Sequence, residues 1–214
     1  MMDFFIKGNF RLILINILGL YLFTKMTEDV LNSELITKID LWIYEHITYI
    51  FSSTLDQIMI FISSGNNLYQ IIFISVIFSI YLFYKKMYQQ MSFFIISIFG
   101  SSLLFVLIKN IIKRERPYSN LIEISGYSFP SGHATLSTTL AFCTYLIFKD
   151  KVKYKKTFFF FLVSYPLLIS FSRVYLHVHY LSDVIAGIGL GLVWVSLIYL
   201  IFIFKKKEIN ETKI

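Results

Sequence analysis

His179 and Asp183 stand four residues apart, within reach of each other if a helix begins near Tyr180. A carboxylate that accepts from one imidazole nitrogen sets the tautomer and leaves the lone pair of the other nitrogen free to attack. Asp183 could instead be a plain carboxylate at a helix start, favoured by the helix dipole. A cap alone does not account for Ser172-Arg173 a few residues upstream. His133 closes a second cluster, Pro130-Ser131-Gly132-His133. Ser131 after a proline is a good N-cap, and Gly132 leaves the first-turn N–H groups accessible, which makes an anion site. His133 at its rim could donate a proton, although these four residues alone read as simply as a helix cap beside an interfacial histidine.

The third cluster is Lys109-Asn-Ile-Ile-Lys-Arg-Glu-Arg116-Pro117. On a continuous helix, residues seven apart share a face two turns apart, so Lys109 and Arg116 are expected to grip one polyanion, Arg by its planar fork and Lys as a point charge. Pro117 is expected to end that helix and fix the direction of Arg116. A snorkelling basic collar at a membrane surface is the plain alternative. His177 and His179 form a His-x-His pair, but zinc wants three or four ligands and no Cys or Glu stands nearby to complete them. His46 lies in a loop without evident partners and reads as structural or interfacial. The single cysteine, Cys143, sits in an apolar run as a small buried hydrophobe.

The elements that must position these residues are membrane helices. Of 214 residues 57% are hydrophobic and 15% charged, against about a quarter charged in soluble domains. A span needs roughly 20 apolar residues, and six segments qualify or nearly do: 4–24, 68–84, 91–112, 131–148, 157–176 and 182–204. The first reads as a retained signal-anchor helix, since Thr24-Lys25-Met26-Thr27 offers no small-residue cleavage site. Residues 50–64 read as a re-entrant or interfacial helix, joined to the second span by a turn at Ser64-Gly65-Asn66-Asn67. The expected fold is therefore all-α, a single polytopic domain over 1–214 with six transmembrane helices and an external helical segment between spans one and two.

Charge orients it. Thirteen of the twenty Lys and Arg lie in Lys7 and Arg11, Lys85-Lys86, the loop Lys149 to Lys156 and the tail from Lys205. All four places share one side of a six-span chain, which the positive-inside rule makes cytoplasmic, with both termini there. The stretch after span one carries Glu28, Asp29, Glu34, Asp40, Glu45 and Asp56 against Lys25 and Lys38, as an external loop would. The net charge of +7 thus reflects topology and attraction to anionic lipid, and gives no support to nucleic-acid binding. Lys109, Lys113, Arg114, Arg116 and Arg173 break the rule, and a bound anion would justify them.

Lys-x6-Arg-Pro (109–117), Pro-Ser-Gly-His (130–133) and Ser-Arg-x5-His-x3-Asp (172–183) together resemble the three signature motifs of the type 2 phosphatidic acid phosphatase superfamily, complete and in order. The run from Asp183 through Gly187, Gly189 and Gly191 is similar to that family's last span, and Gly187-x3-Gly191 would let another helix approach closely. The resemblance implies a bacterial membrane lipid phosphatase. In it His179 attacks phosphorus to form a phosphohistidine, Asp183 orients it and His133 protonates the leaving oxygen. Lys109, Arg116, Arg173, Ser131 and the Gly132 N–H hold the phosphoryl oxygens, with no metal or other cofactor. The substrate is expected to be a lipid phosphate or pyrophosphate in the bilayer, of the undecaprenyl pyrophosphate, phosphatidylglycerophosphate or phosphatidic acid class. These would place the enzyme in cell-wall carrier recycling or in phospholipid metabolism. A phosphotransferase with a non-water acceptor would use the same groups. A transporter would place His, Asp and Arg along a path through the bilayer, whereas these groups cluster at one face and spans one and two carry almost no charge in their interiors.

Overall fold

The computed structural model describes residues 2–119 and 121–211, with side chains described for 9–67, 69–119 and 121–204. Lys7 and the tail cations from Lys205 lie outside the described side chains. The chain is all-helical: α1 (Met2–Leu31), α2 (Leu35–His46), α3 (Ser53–Ser64), α4 (Leu68–Tyr84), α5 (Tyr88–Ile112), α6 (Gly132–Phe148), α7 (Lys155–Tyr175) and α8 (Leu181–Glu211), with a 3-10 turn at Ile47–Ile50. Each of the six apolar segments has its helix. Asn9–Leu31, Tyr88–Ile112, Lys155–Tyr175 and Leu181–Phe204 are long and apolar enough to cross a membrane, and α3 with α4, bent by 49°, would make a fifth crossing. α6, at 17 residues, is about 25 Å long, short of a roughly 30 Å hydrocarbon core.

Three of the helix starts follow side-chain capping. Ser52 caps α3 through Leu55 N at 3.3 Å, Asn67 caps α4 through Gln70 N at 3.1 Å, and Ser131 caps α6 through Ala134 N at 3.4 Å. The last two satisfy N–H groups that a helix start otherwise leaves orphaned; both belong to segments where sequence alone suggested a turn or cap.

The bundle is apolar on its outer surface as well as in its core. Phe73, Phe99, Ile111 and Phe160 are well exposed on its outer surface, while Ser97, Ser101, Thr135, Ser137 and Thr139 are buried between helices. Apolar faces of that extent suit lipid. α8 is the axis, running along α1, α5 and α6. A Cβ on Gly187 would lie 2.6 Å from the Ser131 carbonyl oxygen, one on Gly191 3.0 Å from that of Thr135, and one on Gly189 2.7 Å from that of Gly19. Glycine is what lets α6 and α1 lie against α8 at these points, the close approach expected of the small-residue spacing. Away from the motifs, Cys143 is fully buried with Leu146, Ile147, Val195 and Phe94.

Candidate active site

The motif residues converge where α5 and α7 end and α6 and α8 begin. The α6–α8 glycine contact carries the second and third motifs together: the Ser131 N–H donates to the Asp183 carbonyl at 2.9 Å. The first motif arrives differently from the expected continuous helix. α5 stops at Ile112, and Lys113 takes a left-handed φ of 53° as its C-cap, with its N–H returned to the Lys109 carbonyl. Lys109 is therefore the last basic residue of the helix, and Arg116 lies beyond it in a segment without regular structure. The left-handed turn at Lys113, four residues before Pro117, ends the helix. Lys109 pins the returning chain by donating to the carbonyls of Tyr127 at 2.6 Å and Ser128 at 2.9 Å.

At the centre is His179, only 3% exposed. Its Nδ1 faces Asp183 Oδ2 at 3.2 Å, and its Nε2 faces Arg116 Nη1 at 3.2 Å. A carboxylate accepts and a guanidinium only donates, so the partners dictate the tautomer: the proton sits on Nδ1 and the lone pair on Nε2 points toward Arg116. Burial, and then the charges of Arg116, Arg173 and Lys109, hold the imidazole well below its ordinary pKa. It is neutral at neutral pH, the state a nucleophile requires.

Asp183, fully buried, also accepts the Tyr180 N–H on Oδ2 at 3.0 Å. It is thus both the carboxylate on His179 and, like the acidic member of a capping box, a reach-back cap on α8; the two readings coexist. Arg116 is fixed by the carbonyls of Gly126 (2.9 Å, from Nε) and Val178 (2.6 Å, from Nη1). Arg173, 2% exposed, donates through Nη1 to the Ser63 hydroxyl, while its buried Nε has no protein acceptor. Ser131 is fully buried: its N–H is taken by Asp183 and its hydroxyl oxygen by the cap, so only the hydroxyl proton remains to offer. A Cβ on Gly132 would lie 2.9 Å from Phe105 Cε2, which adds a packing reason for glycine there. His133 lies within the electrostatic field of Arg173, His179, Arg116 and Lys109, and its carbonyl accepts Asn66 Nδ2 at 3.1 Å.

The histidines outside this set go elsewhere. The His177 ring packs against Tyr44 and Phe51. His46 stacks on Trp42 and meets the Trp42 carbonyl at 2.8 Å, so it has partners, within its own helix. Among the described residues no three His, Cys, Asp or Glu side chains converge as metal ligands.

Several residues of the site were not singled out by motif reasoning. Asp40 of α2 ion-pairs with Arg114 at 2.8 Å, and Arg114 with Asp183 at 2.6 Å. Ser63 and Asn66 enter from the α3–α4 turn, and Tyr165 of α7 donates to Asn66 at 2.7 Å. For Asn66 the available signal was a turn sequence; for Asp40 it was only an acidic residue in an acidic loop.

The PAP2 superfamily model matches residues 90–207, a stretch containing all three motifs. The chain is 34% identical over 116 residues to phosphatidylglycerophosphatase B of Bacillus subtilis, covering 51% of this chain and 56% of that protein. It is 30% identical over 157 residues to lipid A 4'-phosphatase of Porphyromonas gingivalis, covering 64% and 63%. The matches thus span between half and two thirds of those relatives' length. The fold is similar to the crystal structure of a transmembrane PAP2-type phosphatidylglycerolphosphate phosphatase from Bacillus subtilis, with TM-score 0.75 and 25% identity over 88% of this chain and 96% of that one. With a family match over more than half its length and the signature residues gathered at one end of the bundle, this multi-pass membrane protein belongs to the PAP2 superfamily.

Proposed function

We propose that the protein, as one domain over 1–214, is a membrane lipid phosphatase that hydrolyses a lipid phosphate or pyrophosphate through a phosphohistidine. The observation that carries this reading is the His179 ring held between Asp183 on Nδ1 and Arg116 on Nε2. The attacking nitrogen is already directed at a guanidinium that would bind the phosphoryl oxygens.

In the first step His179 Nε2 bonds to phosphorus as the P–O bond to the leaving group breaks, and His133 gives its proton to that oxygen. In the second, His133 takes a proton from water, the water oxygen bonds to phosphorus, and the P–N bond breaks to release phosphate. Asp183 steadies the positive charge that builds on the imidazole. Arg173, whose buried Nε lacks a protein acceptor, Arg116 and Lys109 take the phosphoryl oxygens, with the Ser131 hydroxyl and the Gly132 N–H beside them. Fixed cations of this kind act where charge develops in the transition state.

A lipid substrate suits a site at one end of a bundle whose outer surface carries Phe73, Phe99, Ile111 and Phe160. The six apolar segments support a reading with six crossings, and the distribution of lysine and arginine supports both termini cytoplasmic and the site at the outer face of the plasma (inner) membrane. The relatives' names cover different lipids, and phosphatidylglycerophosphate, undecaprenyl pyrophosphate and phosphatidic acid are the first to try. The test is phosphate release by purified protein in mixed micelles across that panel, with His179→Ala as control. Release from at least one lipid, abolished in the variant, is expected; transfer to an added hydroxyl lipid without free phosphate would make it a transferase.

A further inference from the structure

We infer that Asp40, on a helix outside the family match, is a positioning residue for the nucleophile, acting through Arg114 on Asp183. This rests on the assignment of His179 as nucleophile.

Asp40 is 1% exposed on a helix whose large apolar residues Leu35, Leu41 and Trp42 face outward. Burying a carboxylate is costly unless its oxygens are paired, and here both are. Oδ2 accepts from Arg114 Nη2 at 2.8 Å and from the Ser182 hydroxyl at 2.5 Å, and Oδ1 accepts the Ser182 N–H at 2.9 Å. The other arm of the same guanidinium, Nη1, reaches Asp183 Oδ1 at 2.6 Å and Ser182 Oγ at 2.7 Å. The Tyr180 ring lies 4.2 Å from the guanidinium carbon.

Two consequences follow. Geometrically, the fork of Arg114 is clamped on one side by Asp40 and so presents a fixed edge to Asp183, whose second oxygen is then turned to His179. Electrostatically, one guanidinium shared by two carboxylates leaves the trio with net charge −1. If Asp183 alone paired with Arg114, its charge would be neutralised just where positive charge must build on the imidazole. Asp40 thus keeps Asp183 effective, although it touches neither His179 nor the phosphate groove. A mere latch of α2 onto α8 would need only the bonds to Ser182.

The test is steady-state kinetics of Asp40→Asn, which keeps the size and the acceptor for the Ser182 N–H but removes the charge. The expected result is a fall in kcat of about tenfold or more with KM within about twofold, and an acid limb of kcat moved to lower pH, because losing a negative charge disfavours the imidazolium. Asp40→Glu should recover part of kcat. Wild-type kcat, or a loss of activity with an unmoved acid limb, would overturn the inference and leave a latch. Should Asp40→Asn not fold, Arg114→Lys, which can pair with one carboxylate at a time, should lower kcat with KM unchanged; an unchanged kcat overturns the inference. His179→Ala run in parallel separates the two claims. Activity retained there removes the nucleophile assignment and this inference with it, whereas an inactive His179→Ala beside a fully active Asp40→Asn removes this inference alone.

Discussion

The backbone N–H of Ser131 donates to the carbonyl of Asp183 at 2.9 Å, and this one bond joins the start of α6 to the first turn of α8. It exists because Gly187 lies one turn further along α8, where any Cβ would come within 2.6 Å of the Ser131 carbonyl oxygen.

Gly187→Ala is therefore expected to force α6 away from α8 and separate His133 from His179. Misplacement by about 1 Å can cost on the order of 100-fold in rate, so a fall in kcat of about 10- to 100-fold is expected. Gly65→Ala, where the new Cβ meets nothing nearer than 3.6 Å, serves as the control. Equal rates in the two variants would remove the helix contact from the account of the site.

His179→Ala should lose activity by about three orders of magnitude or more, as expected when a covalent nucleophile is removed. Rapid quenching with a labelled lipid phosphate should trap an acid-labile phosphoenzyme in the wild type and none in the variant. A labelled variant of comparable stoichiometry would move the nucleophile elsewhere.

The pH dependence follows from the state of His179. Burial and the neighbouring Arg116, Arg173 and Lys109 lower its pKa, so the free enzyme keeps the neutral, attacking form below the ordinary histidine value of about 6.5. Activity is lost as pH falls through the lowered pKa, so the acid limb of kcat/KM is expected clearly below 6.5. A pH profile whose acid limb lies at or above that value would contradict the described environment of the ring.

Arg173→Lys tests the anion grip without removing charge. Lysine cannot reproduce both the bond to Ser63 and the unpartnered Nε donor, and Arg and Lys are not equivalent where planar recognition matters. A fall in kcat/KM of about 10- to 100-fold is expected, with weaker competition by orthovanadate. Unaltered kinetics would show that charge alone suffices at this position.

The helices and the candidate site residues were largely legible in the sequence because each signal is local. Apolar runs of span length mark helices, Ser131 and Asn67 mark their starts, and three short motifs carry the side chains that the fold gathers at one end of the bundle. The spacing of Lys109 and Arg116 was legible as a pair but not as a geometry. Nothing in Lys113 announces a left-handed residue, and it is this turn that takes Arg116 off the helix and onto His179. α2 was missed for the opposite reason to most errors of pattern: its apolar residues face outward and its buried residue is Asp40, the reverse of the amphipathic order by which a soluble helix is recognised.

By itself the sequence marked the candidate site residues and the helices that bear them, since side-chain type, capping and apolar length depend only on neighbours along the chain. The tertiary structure decided which of these groups meet. Glycine contacts seat α6 and α1 on α8, a turn at Lys113 delivers Arg116, and Asp40 reaches Asp183 through Arg114. Such pairings join residues as much as 170 positions apart, and they are fixed by the closeness of helix packing and by the need to pair the buried carboxylates of Asp40 and Asp183, neither of which is written in any one segment.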